Sequence, residues 1–459
     1  MHYESFFYKL SLIGFVLSVF SSCSKDNDLD LESNAVYKLD LSGCETLALM
    51  KSSPDASTPS LYSIDANGSE SPLQITLAQN KNGTITESDE KIPFVVKKIR
   101  NVSEEYFLLS ECYNAESIMT PATRIPEYLL VRKSDGMIYN LYDIGFEGLS
   151  DLANEYECPI IEYESNDLIA ACYTGTQTAG IDDIHLLKIS PSVSSNDISF
   201  QSIGDTNFSA QTYNKLFSLA NGVVAFGSFV KWGINAYGLP FMPKVLNCGG
   251  IAYGNGVEKS LGSVTNAATT FAFLSEGYIS IGQSGNAIWH SLDINADEQS
   301  SEELGKINHY VQISSWYETD NSVLIKYYVF DEQSHYILFD KNSKTFTDLD
   351  WSWTGYDNME LWKENLNGQK LWGLTCSQPN QIENAIWINP FSLEHGETPL
   401  NLNDLTIQRI IPDYKNGQVQ LIATNESDQQ VIININLDDG SRKTLFSSQD
   451  KTIMNMIKL

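Results

Sequence analysis

The densest chemistry in this chain of 459 residues is aromatic. The segment Asp350-Trp-Ser-Trp-Thr-Gly-Tyr-Asp-Asn-Met-Glu-Leu-Trp362 sets Trp351, Trp353, Tyr356 and Trp362 among carboxylates and amides. Trp351 and Trp353 alternate, so on a strand they would face one side. Flat apolar rings beside hydrogen-bonding groups are what a sugar-binding cleft requires. Trp316 and Tyr317, one repeat earlier, extend the candidate surface. The competing reading is packing, because indoles bury much area between structural units.

Nucleophilic and metal motifs are sparse. Beyond residue 22 the histidines are His185, His290, His309, His335 and His395, and none falls in HExxH or HxH. That spacing gives a zinc hydrolase little support. No GxSxG elbow occurs, and Gly282-Gln-Ser-Gly285 reads as a hairpin turn. The glycines at Cys248-Gly-Gly and Gly254-Asn-Gly256 lack the Lys and Ser of a phosphate loop and read as turns. Carboxylates are plentiful, but a glycosidase pair is defined by a spatial separation of ~5–9 Å that spacing in sequence does not give. Asp26-Asn-Asp28-Leu-Asp30 fails as an EF-hand loop, without Gly at its sixth place or Glu at its twelfth. Asp348-Leu-Asp350 and Asp438-Asp439-Gly440 read as turn residues. No catalytic residue, metal ligand or cofactor is assigned, although calcium at a central channel stays open.

The elements that would position these groups are almost all strands. Hydrophobic residues make up 42% of the chain, enough to build a large core. After residue 35 the one modest helical candidate is Leu149–Tyr156. Elsewhere, short runs rich in Val, Ile, Leu, Tyr and Phe end at Asn, Asp, Gly or Ser. Val323–Leu349 reads as strand, turn, strand, turn, strand, and Val419–Phe446 repeats the plan. Strands around Trp372 and looser hairpins at Leu61, Tyr128, Leu168, Phe217 and Gly277 extend the series. Equivalent positions Ile288, Tyr336, Ile386 and Ile432 step by 48, 50 and 46 residues. A unit of about 50 residues with several antiparallel strands predicts an all-β β-propeller. Length allows seven or eight such units, with seven preferred and six to eight open. A pair of β-sandwiches is the alternative. Neither WD dipeptides nor kelch double glycines recur, so the repeats are divergent.

The N-terminus fixes the expected address. Leu10–Phe20 is an apolar run preceded by Lys9, too short to span a bilayer and suited to a signal-peptide core. Ser21 and Ser22 then precede Cys23. The arrangement resembles a bacterial lipoprotein signal, with Phe20 where such signals usually carry Leu. The resemblance implies lipidation of Cys23 and removal of residues 1–22. The acidic stretch Ser24–Ser33 resembles the export tag of Bacteroidetes lipoproteins carried to the outer face of the outer membrane, and physically makes a solvated tether. A plain acidic linker facing the periplasm is the alternative. The expected organisation is signal peptide 1–22, lipidated Cys23 and tether 23–35, and one propeller 36–459. The six remaining cysteines, Cys44, Cys112, Cys158, Cys172, Cys248 and Cys376, are widely spaced and open to disulfides or simple burial.

Acidic residues number 58 against 29 basic ones, a net charge of -29. Such a surface repels phosphates, which excludes nucleic acid as a partner. The chain as a whole resembles the propeller-type surface lipoproteins of Bacteroidetes. The leading expectation is a non-catalytic propeller, held at the outer membrane by its lipid and binding a glycan or a neighbouring outer-membrane protein. A carbohydrate-active hydrolase or lyase on the same scaffold, and an outer-membrane scaffold or assembly protein without a small-molecule site, are the alternatives.

Overall fold

The computed structural model describes residues 35–459 other than 54, 57, 82–83, 93, 115–126, 142–159, 163–166, 175–181, 209–212, 220–221, 235–239, 255–256, 261–268, 308–310, 330–332, 354–355 and 379–380. The expected signal peptide, Cys23, most of the expected tether and the helical candidate Leu149–Tyr156 therefore lie outside the described residues. The regular elements among the described residues are strands, apart from short 3-10 turns such as Lys363–Asn365 and Tyr414–Asn416.

Eight antiparallel sheets of four or five strands follow one another, a number inside the expected range of six to eight. A further three-stranded sheet joins Ala35–Leu39, Ile75–Lys81 and Thr84–Ile92. Sheets five to eight carry the clearest repeat. The fifth contains Thr269–Leu274, Gly277–Gly282, Asn286–Leu292 and Glu298–Lys306. The sixth contains Gln312–Glu318, Ser322–Tyr328, Ser334–Asp340 and Thr345–Leu349. In the seventh, Tyr356–Asp357 is followed by Lys370–Gln378, Gln381–Ile388 and His395–Pro399. The eighth contains Leu405–Asp413, Gln418–Asn425, Gln430–Asn436 and Arg442–Ser448.

The ring is closed by the chain's own end. Thr452–Lys458 pairs with Thr46–Lys51, aligning Leu47 with Ile457 and Thr46 with Lys458. It completes the first sheet, whose other strands are Ser60–Ile64 and Glu70–Pro72. First strands of successive sheets also touch, as Thr269–Leu274 does Gln312–Glu318 and Leu405–Asp413 does Thr452–Lys458.

Apolar layers fill the spaces between consecutive sheets. Leu374, Ala385, Leu421 and Ile433 pack between the seventh and eighth, while Ile422, Ile432, Ala48 and Met456 pack between the eighth and first. The eighth sheet therefore buries both faces against its neighbours, which is how a radial stack stabilises sheets too small to stand alone. Turn chemistry sets the hairpins. The Gly282–Gly285 string makes its predicted tight turn, Gly285 N–H donating to the Gly282 carbonyl at 2.8 Å with φ +81° at Gly285. At Asp135-Gly136, φ is +71° and a Cβ would lie 1.9 Å from the Leu39 carbonyl oxygen, so only glycine fits.

Candidate functional site

The aromatic segment leaves the sixth sheet after Leu349 and enters the seventh at Tyr356–Asp357. Trp351 and Trp353 lie in irregular chain rather than on a strand, which corrects the alternation argument. Trp351 N–H folds back onto the Leu349 carbonyl at 2.8 Å. Both indoles nevertheless converge, and the side chain they share is His395. Its ring centroid lies 5.0 Å from Trp351 and 5.5 Å from Trp353, the second contact perpendicular. Trp351 also rests against Tyr336 at 5.3 Å. The two indoles are half-buried on an apolar layer that includes Leu324, Leu361 and Ile386, whereas His395 is exposed. The result is an aromatic shelf at the seam of the sixth and seventh sheets.

Beneath the shelf a buried ion pair fixes the linker. Lys326, in the second strand of the sixth sheet, pairs with Asp357, and both side chains are almost fully excluded from solvent. Lys326 Nζ also donates to the Met359 carbonyl at 2.8 Å, and the Asp357 carboxylate accepts Tyr336 Oη at 3.2 Å and Met359 N–H at 3.2 Å. Burial pulls the lysine pKa down, but Asp357 and Tyr328 outweigh it and leave Lys326 above its ordinary range. Burial, with the nearby Asp357 charge, pushes Tyr336 well above its ordinary value.

The other sequence candidates go elsewhere. Trp316 and Tyr317 sit in the first strand of the sixth sheet, not in a linker equivalent to residues 350–355. Trp316 and Trp362 meet edge to face at 5.0 Å, and Phe217 stacks on Trp316 at 5.1 Å. Phe273 closes the group at 6.0 Å from Trp316. Side chains from four successive sheets thus form one aromatic plug. Trp316 Nε1 donates to the Phe273 carbonyl at 2.5 Å, Trp362 Nε1 to Glu360 at 2.9 Å, and Lys215 lies 4.6 Å over the Trp362 ring. Tyr317 is buried with its edge on exposed Phe391 at 6.0 Å. Tyr356 is exposed, in the short first strand of the seventh sheet opposite Cys376. Of the six candidates, the structure joins Trp351 with Trp353 and, separately, Trp316 with Trp362.

Among the described residues no group of three or more His, Cys, Asp or Glu side chains is arranged to hold a metal ion. Asp438 and Asp439 do form a turn, closed by Gly440 at φ +68°. Cys44 and Cys376 are free thiols, each pushed up to about 11 chiefly by burial, which makes them poor nucleophiles at neutral pH. A cleft of about 320 Å³ around Arg132 lies between the second and third sheets. Its guanidinium is already held by Asp135 at 3.0 and 2.7 Å and by the Val193 carbonyl at 3.0 Å, so it is structural.

Fold and site together define a β-propeller bearing an aromatic shelf on one inter-sheet seam. No family model matches the sequence, and no curated protein matches it. Solved structures with a similar strand layout include a puromycin-hydrolysing peptidase of Mycobacterium tuberculosis, 8% identical with a TM-score of 0.41, the match covering 76% of this chain and 52% of that one. An uncharacterised protein of Listeria monocytogenes is 9% identical with a TM-score of 0.36, covering 76% of this chain and 98% of that one. The present chain thus spans about half the length of the peptidase. At these values the likeness carries nothing about activity, and the propeller assignment rests on this chain's own sheet order and closure.

Proposed function

We propose that this chain is a surface-exposed lipoprotein, anchored to the outer membrane through Cys23, whose propeller binds a glycan on the shelf of Trp351, Trp353 and His395 without transforming it. The observation that carries the reading is the shelf itself: two half-buried indoles converging on an exposed imidazole. Fixed indole faces offer stacking area for a sugar ring at little entropic cost, and His395 with the neighbouring exposed Glu394 and Glu397 offers partners for hydroxyls. Anchoring is supported by the signal-like run before Cys23 and the acidic stretch after it. Among the described residues no helix is long and apolar enough to cross a membrane.

Calorimetry against a panel of soluble polysaccharides tests the glycan. Binding is expected to weaken about tenfold or more in Trp351→Ala and in Trp353→Ala, the equivalent of about 1.4 kcal/mol or more for each ring. No heat with any polysaccharide, or equal affinity in both variants, would sink the reading, and retention of an outer-membrane protein in a pull-down that persists in both variants would replace it. For the anchor, Cys23→Ser is expected to abolish incorporation of labelled fatty acid and to move the protein from the membrane to the soluble fraction. Unchanged fractionation would count against lipidation.

A further inference from the structure

A second constellation lies on the fifth sheet, remote in sequence from the shelf. Ser280 is in the second strand, His290 in the third and Glu298 in the fourth. Ser280 Oγ is 2.8 Å from His290 Nε2, and His290 Nδ1 is 2.8 Å from Glu298 Oε2. Each imidazole nitrogen therefore has its own partner, a hydroxyl on one side and a carboxylate on the other. With the carboxylate accepting the Nδ1 proton, Nε2 is left as the acceptor for the serine proton.

Three features fix this arrangement. The third strand pairs Tyr278 with His290, and the tyrosine ring stacks on the imidazole at 4.4 Å with an 11° interplanar angle. A register shift between Ser291 and Leu292 places Glu298 opposite Leu292, and such bulges re-aim side chains. Burial is graded: Ser280 is 8% exposed, the His290 side chain 15% and the Glu298 side chain 45%, so the relay runs from the sheet face out to water.

We propose that Ser280 is a nucleophile, with His290 as its base and Glu298 as the positioning residue, that accepts acyl or phosphonyl groups from small activated esters. In the acyl reaction Ser280 Oγ forms a bond to the acyl carbon as its proton passes to His290 Nε2. The ester C–O bond then breaks, and the departing alcohol takes that proton. With a fluorophosphonate, an O–P bond forms, the P–F bond breaks, fluoride leaves and the proton passes through Nε2 to solvent. The strand Gly277–Gly282 is paired along its length with the first strand and from Gly277 to Ile281 with the third, so the amides around Ser280 are engaged in the ladder rather than aimed at an oxyanion. Each missing oxyanion donor slows turnover by roughly 10²–10³. Stoichiometric modification, not rapid hydrolysis, is therefore the expected behaviour.

The test treats the full folded chain with a small fluorophosphonate, following label by intact mass and locating it by peptide mapping. One label per chain on Ser280 is expected, absent in Ser280→Ala and roughly 100-fold slower in His290→Gln, which removes the base. Glu298→Ala is expected to slow labelling, while Glu298→Gln, which keeps an acceptor for Nδ1, recovers most of the rate. Circular dichroism melts on every variant establish that the compared chains are folded. Folded wild type that takes no label, label persisting in Ser280→Ala, or identical rates in wild type and the histidine and glutamate variants would each overturn the proposal.

Discussion

Lys326→Ala and Asp357→Ala are each expected to destabilise the protein by about 3–5 kcal/mol, although neither residue reaches the surface. Each substitution leaves the other charge buried without its partner, in the space between the sixth and seventh sheets. The loss propagates because Asp357 does three jobs. It neutralises Lys326, accepts the Tyr336 hydroxyl and caps Met359 N–H, and so holds the two-residue first strand of the seventh sheet in place. The double variant Lys326→Met with Asp357→Leu removes both charges in similar volume. It is expected to recover only part of the loss, because the Tyr336 hydroxyl and the Met359 N–H both lose their acceptor, at about 1–3 kcal/mol each. Denaturant unfolding of the three variants measures this, and single variants within about 1 kcal/mol of wild type would refute it. The pH dependence has a defined sign. A lysine whose native pKa lies above its unfolded value contributes fully below that unfolded value and loses the contribution as pH rises through the native one. The contribution of Lys326 is therefore constant across neutral pH and declines only in alkali.

The propeller was legible because its evidence is local. Ile288, Tyr336, Ile386 and Ile432 all fall on the third strand of their sheets, so the steps of 48, 50 and 46 residues are true structural periods. Short turns hold those hairpins, and Asn, Asp and Gly mark them plainly in sequence. First strands are less legible. Tyr356–Asp357 is too short for any pattern, and Trp316–Tyr317 reads as linker until the pairing of Trp316 with Ile325 places it in a sheet.

Legibility of the shelf was similarly uneven. Trp351 and Trp353 announce themselves by residue type, but their common partner His395 comes 42 positions after Trp353 on the outermost strand of the next sheet. Spacing rules that search histidines for metal motifs pass over it. The signal that could find it is the repeat itself, which puts the fourth strand of one unit beside the linker that enters it. Trp316 and Trp362 show the opposite outcome, where aromatic type is shared but the environment is a plug. The Ser280–His290 contact spans one hairpin, yet only the register reveals it, since the directly paired partner of Ser280 is Ile288.

Removal of residues 450–459, which carry the last strand Thr452–Lys458, is expected to have an effect comparable with the entire stability of a domain. Ile453, Met456 and Ile457 are each under 5% exposed. At about 1.5–3 kcal/mol for each buried side chain, their loss alone amounts to about 5–9 kcal/mol, against a typical net stability of about 5–15 kcal/mol. The backbone adds to this, because Thr46–Lys51 would become an open edge whose Leu47, Ala48, Leu49 and Met50 are now fully covered. Such an edge templates pairing with another chain, so the truncated protein should be recovered mainly as oligomer or aggregate by size-exclusion chromatography with light scattering. A synthetic peptide of residues 450–459 added during refolding should restore monomer, by strand addition to the vacant edge. The same peptide with Ile453 and Ile457 changed to Asp should not. A truncated chain that stays monomeric and melts with the full-length protein would show that the ring is held by its inter-sheet layers alone. The closure strand also bridges sheets, through Met456 beside Ile422 and Ile432 and through Asn455 Nδ2 donating to the Ile99 carbonyl at 2.8 Å. Its removal therefore loosens the eighth and second sheets together with the first, which is why peptide rescue is expected to be cooperative rather than local.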